Sequence, residues 1–102
     1  MPRRFHVALA VDDVDAVVAD YRLRLGEEPV HHVAREYALW RTPEINLSIS
    51  AAGPGEARLR HVGFEDTEVP AKTYATDCSG LLWERFAAHH QDAEVAQLYG
   101  ER

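Results

Sequence analysis

The chain has 102 residues, 46% of them hydrophobic and 27% charged, a balance that belongs to one compact globular domain and excludes a disordered tail, a coiled coil or two domains. Seventeen acidic residues against eleven basic ones give a net charge of −6, with no basic run beyond Arg3–Arg4, so the cationic face that a nucleic-acid backbone requires is missing. No apolar stretch reaches the ~20 residues that cross a bilayer and the N-terminus carries no apolar signal core, so a cytoplasmic protein with no membrane partner is expected; the lone Cys78 fits a reducing compartment.

Taken in chain order, RFHVALAV from Arg4 to Val11 alternates. Phe5, Val7, Leu9 and Val11 lie on one face, His6, Ala8 and Ala10 on the other, which predicts a strand with an apolar side and a side of small residues around a histidine. Asp12 and Asp13 supply a helix cap and an acidic first turn. Val14, Val17, Val18, Tyr21 and Leu25 then form an amphipathic stripe, and Gly26 stands where a helix C-cap belongs. Three extended segments follow, Pro29–Ala34, Tyr37–Arg41 and Ile45–Ala51, separated by breaks short enough for hairpin turns. In the last of them Ile45, Leu47 and Ile49 alternate with Asn46, Ser48 and Ser50, one face apolar and the other small and polar. Gly53–Pro54–Gly55, within Ala52–Arg58, is the strongest loop signal.

Arg60–Asp66, RHVGFED, is again a strand, with His61, Gly63 and Glu65 on one side and Val62 and Phe64 on the other. It restates the first strand at a period of 55 residues, measured from His6 to His61. A repeat of that size predicts two βαβββ units. The second is incomplete: from Lys72 the chain reads strand, turn at Asp77–Cys78–Ser79–Gly80, strand, and then a helix over Asp92–Tyr99 capped by Asp92, with no room for the first unit's helix and one of its strands.

These segments together resemble the vicinal oxygen chelate superfamily, which includes glyoxalase I, extradiol dioxygenases, fosfomycin-modifying enzymes and bleomycin-resistance proteins. FHVALAVDDVDAVVADYRLRLGEEPV resembles its opening strand, helix and turn, RHVGFED the start of its second module, and YATDCSGLLWERF its closing hairpin; the flavour is nearest to small cadmium-induced and organoarsenical-lyase proteins. The resemblance implies an α+β fold of paired βαβββ modules forming a cupped mixed sheet, residues 1–52 making the first module and 59–102 a reduced second one with a C-terminal helix. It implies metal ligands at His6, His61 and Glu84, and the parity of the strands agrees, since small neighbours leave room on those faces. Two imidazoles and a carboxylate with open positions suit Fe(II), Mn(II), Ni(II) or Zn(II).

The implied activity is that of a divalent-metal-dependent small-molecule enzyme of lyase, dioxygenase or transferase type, with Asn46 and Ser48 beside the substrate. Glyoxalase I chemistry is disfavoured, because the position matched to its fourth, acidic ligand is Asn46, and a single cysteine does not supply the pair that holds an arsenical. A metal-independent protein that sequesters a small molecule or drug on the same fold is the alternative, and a degenerate interaction scaffold a third. Glu65 is the one carboxylate near His61 on its strand face. His31–His32 and His89–His90 read as surface pairs, because neighbours in a strand or helix diverge, and Cys78 as an exposed turn thiol. The truncated second module would leave Val62, Phe64 and Trp83 uncovered, to be repaired by the terminal helix docking where the missing helix would lie or by a homodimer.

Overall fold

A computed structural model describes residues 3–52 and 58–100; the Gly53–Pro54–Gly55 loop lies outside the described residues. The elements are β1 (Arg3–Val11), α1 (Val14–Leu25), β2 (His31–Val33), β3 (Tyr37–Arg41), β4 (Ile45–Ala51), β5 (Arg58–Asp66), β6 (Thr73–Thr76), β7 (Leu82–Phe86) and α2 (Ala88–Tyr99). The fold is α+β, with one seven-stranded mixed sheet in the order β2-β3-β4-β1-β5-β7-β6. Among the described residues no helix is long and apolar enough to cross a membrane.

The sheet has a centre. β1 runs parallel to β4 on one side and antiparallel to β5 on the other, with Val7 opposite Val62, His6 opposite Gly63 and Ala8 opposite His61. A half-turn about the Val7–Val62 pair therefore exchanges His6 with His61, and the repeat legible in the sequence is a repeat in space. Each half then grows outward alike: β4 and β7 run parallel to β1 and β5, and β3 and β6 antiparallel to β4 and β7. Among the described residues the second half has no counterparts of α1 and β2.

One face of the first half is closed by α1. Val14 and Val18 are buried against Ala38, Trp40, Leu47 and Ile49, with Val7, Leu9 and Val11 packed beside them. Full burial of an aliphatic or aromatic side chain contributes about 1.5–3 kcal/mol, so this cluster is the main apolar core. The helix is delimited as its sequence predicts: the Asp13 side chain accepts from the Ala16 N–H at 3.0 Å, and Gly26 closes the end at φ 72°, a left-handed value suited to glycine. The buried Trp40 indole donates to the Glu27 carbonyl at 3.0 Å, so its polar atom is not stranded.

The other face carries the histidines, and α2 lies over part of it. Val95 and Tyr99 pack on Tyr37 and Leu39, the two tyrosine rings stacked with centroids 4.9 Å apart. This helix begins at Ala88 rather than at Asp92. The Ala87 N–H donates to His90 Nδ1 at 2.9 Å, which satisfies one terminal donor, while Asp92 sits inside the helix and accepts from Arg41 at 2.8 Å. The strand expected over Pro29–Ala34 is likewise shorter, β2 spanning only His31–Val33.

The terminal helix does not dock as a second α1. By strand parity a counterpart of α1 would lie on the α1 side of β5 and β7, whereas α2 occupies the histidine side of β3. The α1-side surface of the second half is left to Phe5, Phe64 and Trp83, which meet edge-on with Phe5 centroids 5.7 and 6.4 Å from the other two. Arg3 covers the Phe64 ring at 3.9 Å, yet Phe5 stays 38% exposed. Val62, beneath them, is buried.

Two consequences are measurable. A Cβ on Gly63 would sit 1.8 Å from the backbone oxygen of Glu84, so Gly63→Ala must push β7 off β5. We expect a loss of about 1–3 kcal/mol or more in urea unfolding, where an exposed substitution such as Leu23→Ala changes little; an unchanged midpoint for Gly63→Ala would contradict this packing.

The β6–β7 turn is organised by Asp77, whose carboxylate accepts from the Ser79 hydroxyl at 2.7 Å, the Trp83 indole at 2.8 Å and the Ser79 and Leu81 N–H groups at 2.8 and 3.0 Å. Those bonds hold its carboxyl well below the ordinary aspartate value of 3.8. A depressed folded-state pKa gives stability that is complete above the unfolded value and is lost as the pH falls through the folded one. Trp83 emission should therefore keep its native wavelength from neutral pH to 3.8 and shift only below it, and Asp77→Asn, whose amide nitrogen cannot accept from the indole, should abolish that step.

Candidate metal centre

Three strands bring three donors together. His6 on β1, His61 on β5 and Glu84 on β7 offer ligand atoms that all lie within 4.8 Å of one another. His6 is 1% exposed and Glu84 8%. The two Nε2 atoms are 3.0 Å apart, and His61 Nε2 is 3.3 Å from Glu84 Oε1. Two donors ~2.1 Å from a common ion, at angles of ~90–110°, are themselves ~3.0–3.4 Å apart. Both of these separations fall in that interval, while the whole set is enclosed within 4.8 Å, so the donors suit a divalent transition ion in chemistry and His61 is spaced to share one with each of its two neighbours.

His6 is held for that role from behind. Its Nδ1 faces two oxygens of Asn46, the side-chain Oδ1 at 2.8 Å and the backbone carbonyl at 3.2 Å. Both are acceptors, so Nδ1 carries the proton and Nε2 presents its lone pair toward His61 and Glu84. Burial, reinforced by the His61 charge and opposed by the Asn46 bond, keeps the imidazole below its ordinary pKa and hence neutral at pH 7. Burial pushes the Glu84 carboxyl up, but the His61 hydrogen bond and the charges of His61 and Lys72 outweigh it and hold Glu84 ionised. For Lys72, the lowering effect of burial is overcome by the Glu94 hydrogen bond and the Glu84 and Glu94 charges, which raise it. A neutral buried imidazole and an ionised carboxylate are the protonation states a cation requires.

The triad opens into a cavity of about 360 Å³ between the sheet and α2, within the range of small-molecule sites. Ala8, Ser48 and Ser50 form a low floor, Phe86, Tyr37, Val95, Leu98 and Tyr99 supply apolar wall, and Arg60, Lys72 and Glu94 the charge. Ser48 thus lies where the sequence places it, on the cavity wall. Asn46 does not line the cavity: it is 0% exposed, its Nδ2 donating to Glu65 at 2.8 Å and Gln91 at 2.7 Å while its Oδ1 also accepts from Gln91. Its link to the site runs through His6. The half-turn that exchanges His6 with His61 also pairs Ser48, opposite Ala8, with Glu84, opposite Gly63. Ser48, not Asn46, is the first-half counterpart of the carboxylate ligand.

Glu65 is not beside the cavity either. Its buried carboxylate is taken by Arg4 and Asn46, with Arg41 Nε at 3.4 Å. The second carboxylate in the cavity is Glu94 on α2, paired with Lys72. His31 bonds Asp92 and His32 bonds Asp15, both away from the triad, and Cys78 is exposed. Gln91 and Glu94 are not legible from strand parity, which says nothing about which helix residues face a sheet; a helix starting at Ala88 puts Gln91 and Val95 on one face, and that start was the missing signal, whereas Lys72 lies just before β6, outside any strand or helix pattern.

No protein-family model and no curated protein matches the chain. Among solved structures it is similar to a hypothetical protein from Staphylococcus aureus, with TM-score 0.60 and 10% identity over 82% of this chain, which spans only 33% of that protein. It is also similar to a Legionella pneumophila protein described as an NAD-dependent benzaldehyde dehydrogenase, with TM-score 0.57 and 12% identity over 81% of this chain and 97% of that one. Likenesses at this identity concern the fold alone.

The Asn46 network makes a direct expectation. Asn46→Leu fills the space but leaves His6 Nδ1 with one poor acceptor and strips Glu65 and Gln91 of a shared donor; unpaired buried groups cost about 1–3 kcal/mol each, so a loss of roughly 2–4 kcal/mol is expected in chemical denaturation. Ser48→Ala, on the cavity wall, removes one neutral hydrogen bond to Tyr37 and should cost less, about 1 kcal/mol. Equal effects at the two positions would contradict the assignment of Asn46 to the buried side.

Proposed function

We propose that the chain is a small divalent-metal-dependent enzyme of the vicinal oxygen chelate type, holding its ion through His6, His61 and Glu84. The observation that carries this reading is the convergence of three donors from strands far apart in sequence, two of them exchanged by the half-turn that relates the sheet's halves. The strand order supports it too: a complete β1α1β2β3β4 unit joined through its first strand to a shortened copy is the arrangement that the resemblance implies.

A bound ion of the Fe(II), Mn(II), Ni(II) or Zn(II) group would act as a Lewis acid toward a substrate oxygen. The chain's own part is to hold and orient. Asn46 fixes the His6 tautomer, Gly63 lets β7 approach closely enough to bring Glu84 to His61, and α2 forms one wall of the cavity. On β4 the residues facing this side, Asn46, Ser48 and Ser50, offer no carboxylate, so a lyase, dioxygenase or transferase reaction is favoured over that of glyoxalase I.

Metal-independent sequestration of a small molecule in the same cavity is the second reading, and one contact favours it. Lys72 Nζ lies 3.4 Å from Glu84 Oε1, so the carboxylate already has a cationic neighbour. Elemental analysis of the purified protein separates the two. We expect about one equivalent of transition metal, with affinity falling in His6→Ala and Glu84→Ala by more than the ~10–100-fold that loss of an outer-sphere partner costs. Metal retained equally by both variants, or never taken up, sinks the enzyme reading, and ligand binding indifferent to chelator selects the other.

A further inference from the structure

From the wall of this cavity we infer that Arg60 is an anion-binding residue, and that the ligand is a small molecule carrying an anionic group at one end and metal-chelating oxygens at the other. The inference rests on the proposed metal site for the second half of that description and on separate observations for the first.

The backbone singles out Arg60. Along β1 and β5 the register passes from Ala8 opposite His61 to Leu9 opposite Leu59, leaving Arg60 as the extra residue of a β-bulge. Strict alternation would send Arg60 to the face opposite His61, among the apolar residues under α1. The bulge turns it instead onto the cavity, so two successive residues, Arg60 and His61, line the same wall. Bulges that re-aim a side chain beside a site are a recurrent device.

The guanidinium is positioned, and among the described residues no carboxylate is paired with it. Arg60 Nη1 donates to Ser50 Oγ at 2.8 Å, a neutral partner that fixes the group without cancelling its charge. Lys72, the other cavity cation, is by contrast paired with both Glu84 and Glu94. Ser50 stands two residues beyond Ser48 on β4, ~7 Å along the strand, so the anchored guanidinium and the triad occupy neighbouring parts of one floor of small residues. A planar fork of N–H donors suits a carboxylate or phosphoryl group.

Charge balance points the same way. Among the described lining residues, Arg60 and Lys72 offset Glu84 and Glu94; a divalent ion at the triad leaves the cavity with two net positive charges inside a chain whose net charge is −6. A ligand that both chelates and carries a further negative charge neutralises that excess.

The test compares 2-hydroxyglutarate, whose hydroxy-acid end chelates and whose second carboxylate can reach Arg60, with lactate, which keeps only the chelating end. Binding is measured by calorimetry on Zn(II)-treated wild type, Arg60→Met and Arg60→Lys, with metal content determined in parallel. Charge-assisted hydrogen bonds predict a preference of about 10–100-fold for the dicarboxylate in wild type, abolished in Arg60→Met, partly restored in Arg60→Lys, and with lactate affinity and metal content unchanged in all three. Absence of the preference, or its survival in Arg60→Met, overturns the assignment. A protein that takes up no metal yet shows the Arg60-dependent preference refutes the metal centre and retains the anion site, whereas metal uptake without that preference does the reverse. Arg60 is exposed, so its replacement leaves the fold intact, and thermal melting of each variant checks this.

Discussion

The antiparallel pairing of β1 with β5 is the constraint on which the molecule turns. It is the seam between a half that has its own helix-covered core and a half that does not, and it sets the Val7–Val62 rung about which His6 and His61 are exchanged. It also needs Gly63, because the strand on the far side of β5 passes so close that Glu84's backbone occupies the place of a side chain. Any residue with a Cβ there would separate β7 from β5 and carry Glu84 away from the imidazoles. Fold and site are consequently not separable at this position: the sheet closes at its centre only with the residue that also brings the third donor into range.

Behind the seam lies a buried polar network that a small protein does not assemble without cost. Asn46 links His6 to Glu65 and Gln91, and Arg41 ties Gln91 and Asp92 of α2 to the sheet. Among the described residues Arg41 Nε, 3.4 Å from Glu65, is the buried side-chain nitrogen left without a hydrogen bond, while the paired members of such a network rigidify what they touch. What they touch here is the ring of His6 on one side and the position of α2 on the other. The helix that walls the cavity and the histidine at its bottom are thus held by the same amides, which explains why Asn46 is fully enclosed although its strand neighbours Ser48 and Ser50 face the open space.

Much of this was legible in the sequence because a strand's period of two is insensitive to small errors of boundary. Alternation in RFHVALAV and RHVGFED placed both histidines on one side, and the 55-residue spacing between them anticipated the half-turn. The Asp12–Asp13 pair and Gly26 marked the ends of α1, with Asp13 of the two making the cap, because capping is decided by a few local bonds. The failures have equally definite causes. Asn46 and Ser48 share a face, and alternation cannot say which of them a helix from elsewhere in the chain will cover. The start of α2 was misread because a backbone N–H to His90 Nδ1 replaced the aspartate cap that the pattern favoured. Arg60 violated alternation altogether, since a bulge inserts a residue without leaving a mark in hydropathy.

The uneven distribution of the core has a consequence for how the site relates to stability. Val14, Val18, Trp40 and Ile49 anchor the first half, whereas β5, β7 and β6 depend on strand pairing, the Phe5–Phe64–Trp83 edge contacts and the seam itself. His6 belongs to the first half, His61 and Glu84 to the second. A ligand gripped by all three bridges the seam from the cavity side, and binding of that kind stabilises the folded state by RT ln(1 + [L]/Kd), about 2.7 kcal/mol at a hundredfold excess over Kd. Against a total of about 5–15 kcal/mol for domains in general, that is a sizeable share, and it acts on the half that, among the described residues, no helix covers on the α1 side. A ligand bound across the seam would in this sense supply from one face of the second half the kind of cohesion that the first half draws from α1 on the other.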